Sequence, residues 1–234
     1  MDFSDKVALV TGGAQGIGRA TAMALARAGA DVAVNDLREQ PPDVVEEIRR
    51  LGRKALYARA DVGSLPEVEA MFGEVDRVFG RLDILVNNAG TGAPGKLEEI
   101  DLDLWNRVIN VDLTGPFLCI QAAAKRMIPR RYGRIVNISS IGAVRGIDID
   151  PPYSAAKSGI LGLTKSAARY LGKYNITVNS VSPGPTDTEL IKKLPLEMGE
   201  KEAKTSALGR IGMPEDVADA IPFFASDYTR HVTG

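Results

Sequence analysis

The chain holds one cysteine and one histidine among its 234 residues. A lone cysteine, Cys119, excludes an intrachain disulfide and fits a reducing compartment, so a cytoplasmic location is the expectation. A lone histidine, His231, excludes triads and metal centres that need several imidazoles, and neither HExxH nor CxxC occurs. No metal is expected. Net charge is also lacking: 29 Lys and Arg against 30 Asp and Glu leave a formal charge of −1. The short basic pairs Arg49-Arg50 and Arg130-Arg131 are mixed with acids, and they form no electrostatic footprint for nucleic acid. No apolar run approaches the roughly 20 residues that span a bilayer. The N-terminal MDFSDKVALV has no basic leader ahead of an apolar stretch. What remains is a small-molecule partner, with neither nucleic acid nor membrane.

What is present is an alternation. Lys6–Val10, Asp31–Asn35, Lys54–Arg59, Leu82–Val86, Arg134–Ile138 and Ile176–Val181 are short apolar runs rich in β-branched residues. Helical stretches lie between them. Gly16–Ala28 is rich in Ala and Leu and ends at Gly29. Pro41-Pro42 opens a helix over Asp43–Leu51 that stops at Gly52. Ser64, with Glu67 three residues on, predicts a capping box. This order predicts an α/β fold: a Rossmann-like, doubly wound parallel sheet in three α/β/α layers. No linker, repeat or low-complexity stretch appears, so residues 1–234 read as a single domain.

Two longer helices stand out. One runs from about Leu104 to Met127 with a kink expected at Gly115-Pro116. Trp105, Val108, Ile109, Leu113, Phe117, Leu118 and Ile120 spread around its circumference, which predicts burial inside the domain or against another subunit. The other runs from about Tyr153 to Leu171. Its Ala155, Ala156, Gly159, Gly162, Ala167 and Ala168 allow close helix approach. Together they predict a homodimer or homotetramer.

Thr11-Gly-Gly-Ala-Gln-Gly-Ile-Gly18 follows the first strand directly and opens the first helix. Glycines there permit a tight turn and let the backbone approach a pyrophosphate at the helix N-terminus. The spacing is GxxxGxG, and the Lys-Ser/Thr of a P-loop is missing because Arg19-Ala20 follow Gly18. Asp36 closes the second strand, 18 residues beyond Gly18. A carboxylate there accepts hydrogen bonds from the ribose hydroxyls of NAD and repels the extra phosphate of NADP. Arg38, close by, works against that preference.

Tyr153 and Lys157 are four residues apart near the start of a helix, which puts both on one face. An ammonium beside the phenol favours the phenolate, so Tyr153 becomes able to exchange a proton with a carbonyl or hydroxyl oxygen. Ser139 and Ser140 end the fifth strand, on the side where a doubly wound sheet binds ligands, and a hydroxyl there can hold the substrate oxygen.

In combination these segments resemble the short-chain dehydrogenase/reductase family. The matching points are TGGAQGIG (11–18), Asp36, Asp61-Val62, NNAG (87–90), Ser139-Ser140, YSAAK (153–157) and NSVSPGPTDT (179–188), and they span essentially the whole chain. The resemblance implies that Gly12, Gly16, Ile17 and Gly18 line the pyrophosphate and that Asp36 holds the adenosine ribose. Asp61 and Val62 would contact adenine. Asn87 would buttress the central strands, while Gln15, Asn88, Ala89 and Gly90 lie beside the cofactor. Ser140, 13 residues before Tyr153, would be the catalytic serine, and Tyr153 the acid/base. Lys157 would hold the nicotinamide ribose and favour the tyrosinate. Pro183, Gly184, Thr186 and Thr188 would pass the nicotinamide. Two departures follow. Asp112 stands where the family has its catalytic asparagine; it accepts hydrogen bonds but does not donate them when ionised, and it could pair with Lys157. Asn110 sits about 200° around the helix and does not replace it. The family also continues into a last strand beyond Thr233-Gly234, and without it the sheet edge would stand exposed.

These readings point to an NAD-linked oxidoreductase that interconverts a secondary alcohol and a carbonyl. The substrate would be a sugar or polyol, or another small hydroxy compound; Arg145, Asp148 and Asp150 hint at a polar substrate, but solvation of the loop is the favoured reading of those charges. Ile141–Pro152 and Glu189–Leu208 would set specificity. The alternatives are a 3-oxoacyl-thioester reductase, against which Asp36 leans, and a dinucleotide-sensing protein without catalysis, against which Ser140, Tyr153 and Lys157 stand.

Overall fold

The computed structural model describes residues 1–189, 191–193, 203–204 and 206–234. Among them six strands form: β1 (Val7–Val10), β2 (Asp31–Asp36), β3 (Ala55–Arg59), β4 (Ile84–Asn87), β5 (Gly133–Ile138) and β6 (Ile176–Val181). Each falls on one of the six apolar runs. They pair in parallel in the order β3-β2-β1-β4-β5-β6. The order reverses between β1 and β4, and ligands of such sheets bind at the strand ends beside that switch point.

The strands read as continuous apolar runs because both faces of the sheet are covered. On one face α1 (Gly16–Arg27) and α2 (Asp43–Arg50) press Leu25, Val44 and Ile48 onto Val10, Val32 and Ile84. On the other, α3 (Leu65–Phe79) brings Val68 and Phe72 against Leu9 and Leu85. Each such side chain contributes about 1.5–3 kcal/mol when fully buried.

Three local expectations are corrected. Ser64 does precede α3, but its side chain makes no cap bond; Glu67 reaches past it to accept from the Asp61 N–H at 2.9 Å. The capping box is replaced by a brace on the loop after β3. The long helix is two helices, α4 (Leu102–Ile109) and α5 (Gly115–Arg130), joined by a π-helical turn at Asn110–Thr114. That wide turn stands just before Gly115-Pro116, where a kink was expected. The outer edge of β6 is partly covered: Thr233 Oγ accepts from the Val178 N–H at 3.0 Å, and the Gly234 N–H donates to Val178 O at 2.9 Å.

After β5 come the short α6 (Gly142–Arg145) and α7 (Pro151–Leu171), and the chain ends with α8 (Pro214–Ala218) and α9 (Ala220–Ala225). Part of the expected specificity segment 189–208 lies outside the described residues.

Candidate active site

A cleft of about 1350 Å³ opens over the C-terminal ends of the strands at the switch point. That exceeds the few hundred to about 1,000 Å³ of a pocket for one small molecule. It leaves room for a dinucleotide with a substrate beside it.

At one end the glycine turn between β1 and α1 comes close to the loop after β4. Gly12 has a φ of +60°, and a Cβ on it would lie 2.8 Å from Ala89 Cα. Gly16 has a φ of +54°, with its Cβ position 3.2 Å from Thr188 Cγ2. Both backbone positions are strained for any other residue. Thr11 fixes the approach: its hydroxyl oxygen accepts from the Asn88 and Ala89 N–H groups at 3.0 Å each. Asn88 Nδ2 donates back to Thr11 O and Gly12 O, also at 3.0 Å each. Thr11 was not singled out in the sequence; a hydroxyl directly after the first strand was the signal for it.

Gly12, Gln15, Gly16 and Ile17 line the cleft. Gly18, expected to line the pyrophosphate, is not on this wall. Its Cβ position is 2.2 Å from Gly12 O, so its part is to let α1 pack against the turn. Asp36 lies on the wall at the end of β2, accepting from the Ala14 N–H at 3.2 Å and the Leu37 N–H at 2.9 Å. Arg38 comes within 4.0 Å of the Asp36 carboxylate and hydrogen-bonds the Gln15 side chain. Asp61 and Val62 continue the wall, and Asp61 Oδ1 accepts from the Gly63 N–H at 2.8 Å. Asn87 points away from the cleft and donates to Asn137 at 2.8 Å, which donates to Thr164 on α7 at 2.9 Å. Asn87 is therefore the buttress it was expected to be.

At the other end, Ser140, Tyr153, Lys157, Pro183, Gly184, Thr186 and Thr188 converge on the same cleft. The two serines differ. Ser139 Oγ donates to Lys157 O at 2.9 Å and ties β5 to α7. Ser140 Oγ accepts from the Gly142 N–H at 3.0 Å and faces the cleft. Asp150 caps α7: one oxygen accepts from the Tyr153 N–H at 3.2 Å, the other from the Ala93 N–H at 2.8 Å. Burial pushes its carboxyl above the ordinary range. Asp150 is thus a brace between α7 and the 88–95 loop rather than a solvated loop acid.

Lys157 is almost wholly buried, with Nζ 5.4 Å from the centre of the Tyr153 ring. It donates to Ile138 O at 3.1 Å and lies 3.2 Å from Asp112 Oδ2. Asp112 projects from the π turn beneath Gly90 and is not itself on the cleft wall. Its other oxygen accepts from the Thr91 N–H at 2.7 Å. Burial raises the Asp112 carboxyl against the pull of Lys157. Burial also works against the Lys157 ammonium, but the charges of Asp112 and Tyr153 more than offset it and hold it above its ordinary range. Asn110 turns the other way and donates to Gly63 O at 3.2 Å.

Comparison with known proteins decides the family. A family model described as enoyl-(acyl carrier protein) reductase matches residues 12–234. The chain belongs to the short-chain dehydrogenase/reductase family. It is 43% identical, over 99% of its length and 94% of the relative's, to cis-4-hydroxycyclohexanecarboxylate dehydrogenase of Sinomonas cyclohexanicum. It is 42% identical to the 3-oxoacyl-[acyl-carrier-protein] reductase FabG of Staphylococcus aureus strain N315, over 98% of this chain and 94% of that one. The crystal structure of levodione reductase superposes with a TM-score of 0.92 at 31% identity, covering 99% of this chain and 94% of that one. As a short-chain dehydrogenase/reductase the protein is an oxidoreductase that interconverts alcohol and carbonyl groups with a nicotinamide dinucleotide. The residues present fit that cofactor: a side-chain-free cradle at Gly12 and Gly16, and a carboxylate at Asp36. No helix among the described residues is long and apolar enough to cross a membrane.

Proposed function

We propose that this enzyme uses NAD(H) to interconvert a secondary alcohol and a ketone on a small hydroxy compound, with Tyr153 as the acid/base. The observation that carries the cofactor choice is Asp36, a carboxylate on the cleft wall at the end of β2. It would accept from ribose hydroxyls and repel a 2′-phosphate. Arg38 is close enough to soften that repulsion, but its guanidinium is bound to Gln15.

A bound nicotinamide supplies the hydride acceptor for the alcohol and the donor for the carbonyl. Ser140 would hold the substrate oxygen, Tyr153 Oη would take or return its proton, and Lys157 would hold the ribose. Asp112, off the cleft wall, would act through Lys157.

Ile141, Ile147, Ile149 and Pro94 line the substrate end. Ile147 lies beside the serine: a Cβ on Gly142 would meet Ile147 Cδ1 at 2.8 Å and Ser140 Oγ at 3.3 Å. Arg145 and Asp148 from the same segment also line the cleft, so this end offers apolar and polar groups to a small hydroxy compound. Reduction of a 3-oxoacyl thioester is the second reading, favoured by the identity to FabG. The exposed Trp105 and Phe117, and the buried free Cys119, support a homodimer or homotetramer in the cytoplasm.

The test is titration with NADH and NADPH by cofactor fluorescence, repeated with Asp36→Ala, followed by a screen of secondary alcohols that includes cis-4-hydroxycyclohexanecarboxylate. NADH is expected to bind more tightly, and the variant to lose about ten- to a hundredfold of that affinity, because hydrogen bonds to a charged group contribute about 1.5–3 kcal/mol. Tighter NADPH binding by the wild type would reverse the cofactor assignment and favour the thioester reading.

A further inference from the structure

We propose that Asp112 is a positioning residue, the buried counter-ion that keeps Lys157 protonated and fixed beside Tyr153. This rests on the reading of Tyr153 as the acid/base, and it deepens that reading.

The placement is built by three elements. The π turn at Asn110–Thr114 swings Asp112 inward while Asn110 is tied outward to Gly63. α7 lies tightly on that turn because Gly159 has no side chain; a Cβ there would meet Leu113 Cδ2 at 2.8 Å. The 88–95 loop closes the arrangement from above. Thr91 N–H holds one carboxylate oxygen at 2.7 Å. A Cβ on Gly90 would lie 3.0 Å from the other oxygen and 3.3 Å from Lys157 Nζ. Carboxylate and ammonium therefore sit side by side under a single glycine.

An ammonium this buried releases its proton unless a charge or good acceptors hold it. Ile138 O is one acceptor. Tyr153, on the same helix, contributes charge only as the tyrosinate. Asp150, at the head of α7, is committed to two backbone N–H groups, and its charge reaches Asp112 only through space. Asp112 is thus the group whose charge decides the state of Lys157. Its Oδ2 lies 3.2 Å from Nζ, so charge and hydrogen bonding together hold the ammonium there. An amide in the same place would keep the shape and the acceptor for Thr91 while removing the charge.

The experiment follows the lysine itself. Protein labelled with ¹³C at lysine Cε is titrated by NMR as wild type, Asp112→Asn and Asp112→Ser, with the Lys157 signal assigned by its loss in Lys157→Met. Lys157 of the wild type is expected to titrate at or above the ordinary lysine range. In both Asp112 variants its midpoint is expected to fall by about one unit or more. The high-pH limb of kcat/KM should move down with it, and Asp112→Glu should restore part of the shift. A Lys157 midpoint unchanged in whichever Asp112 variant folds, or already below the ordinary range in the wild type, overturns the proposal. The NMR shift needs no turnover. If turnover is untouched by Tyr153→Phe while the Lys157 midpoint still moves, the acid/base reading of Tyr153 fails and the counter-ion assignment stands.

Discussion

Tyr153 stands one helical turn from Lys157, and both line the same cleft as Ser140, the arrangement on which the proposed proton exchange at one substrate oxygen rests. Tyr153→Phe removes the proton carrier and little volume. It should lower kcat at least about a hundredfold, the lower range for a positioned acid/base, while NADH binding stays within a factor of a few. Stopped-flow hydride transfer and a fluorescence titration measure the two separately. Turnover that survives intact would mean a different acid/base or a non-catalytic dinucleotide sensor. These residues were legible in the sequence because their chemistry requires fixed spacing: four residues on a helix, and a serine pair at a strand end. Asp150 was not legible. A carboxylate in a polar loop looks like any solvated acid until the Ala93 N–H is seen 2.8 Å away, 57 residues distant in the chain. Gly18 was misjudged for a related reason: lining a ligand and admitting a neighbouring backbone both ask for the absence of a side chain.

The strands were legible to within one or two residues because both faces of a parallel sheet are apolar, and that produces unbroken runs. The π turn was not. Gly115-Pro116 marks a disturbance, but nothing local says that the helix widens before it and rotates Asp112 inward. The capping box failed because Glu67 found a better partner in the Asp61 N–H. Elements are also joined by a buried polar relay that no sequence period reveals. Asn87 on β4 donates to Asn137 on β5, which donates to Thr164 on α7. Asn137→Ala would leave Asn87 Nδ2 and Thr164 Oγ1 without these partners in a dry core. The expected loss is about 2 kcal/mol or more, since each unmet buried polar group costs about 1–3 kcal/mol. Urea unfolding at constant m value would show it as a lowered midpoint. A midpoint equal to wild type would mean that water replaces the missing amide and that the relay is not a strut.

At the scale of the whole molecule, the helices around the candidate site also carry exposed apolar side chains. Trp105 on α4 and Phe117 on α5 are exposed on either side of the turn that holds Asp112. α7, which holds Tyr153 and Lys157, presents Ala155, Gly162 and Tyr170 to solvent. Large apolar side chains that form a contiguous surface patch mark contact faces, and the proposed dimer or tetramer would use these helices. A second copy packed there would bury these faces and stiffen both helices behind the site. Phe117→Glu places a charge in that contact, so it should shift the protein toward monomer in sedimentation velocity at micromolar concentration. Because α5 continues directly from the π turn, loosening it should also lower kcat more than it raises KM. A wild type that already sediments as a monomer would refute the contact face. A monomeric variant with full kcat would show instead that the site is held by its own chain, through Gly159, Asp150 and the buried amide relay alone.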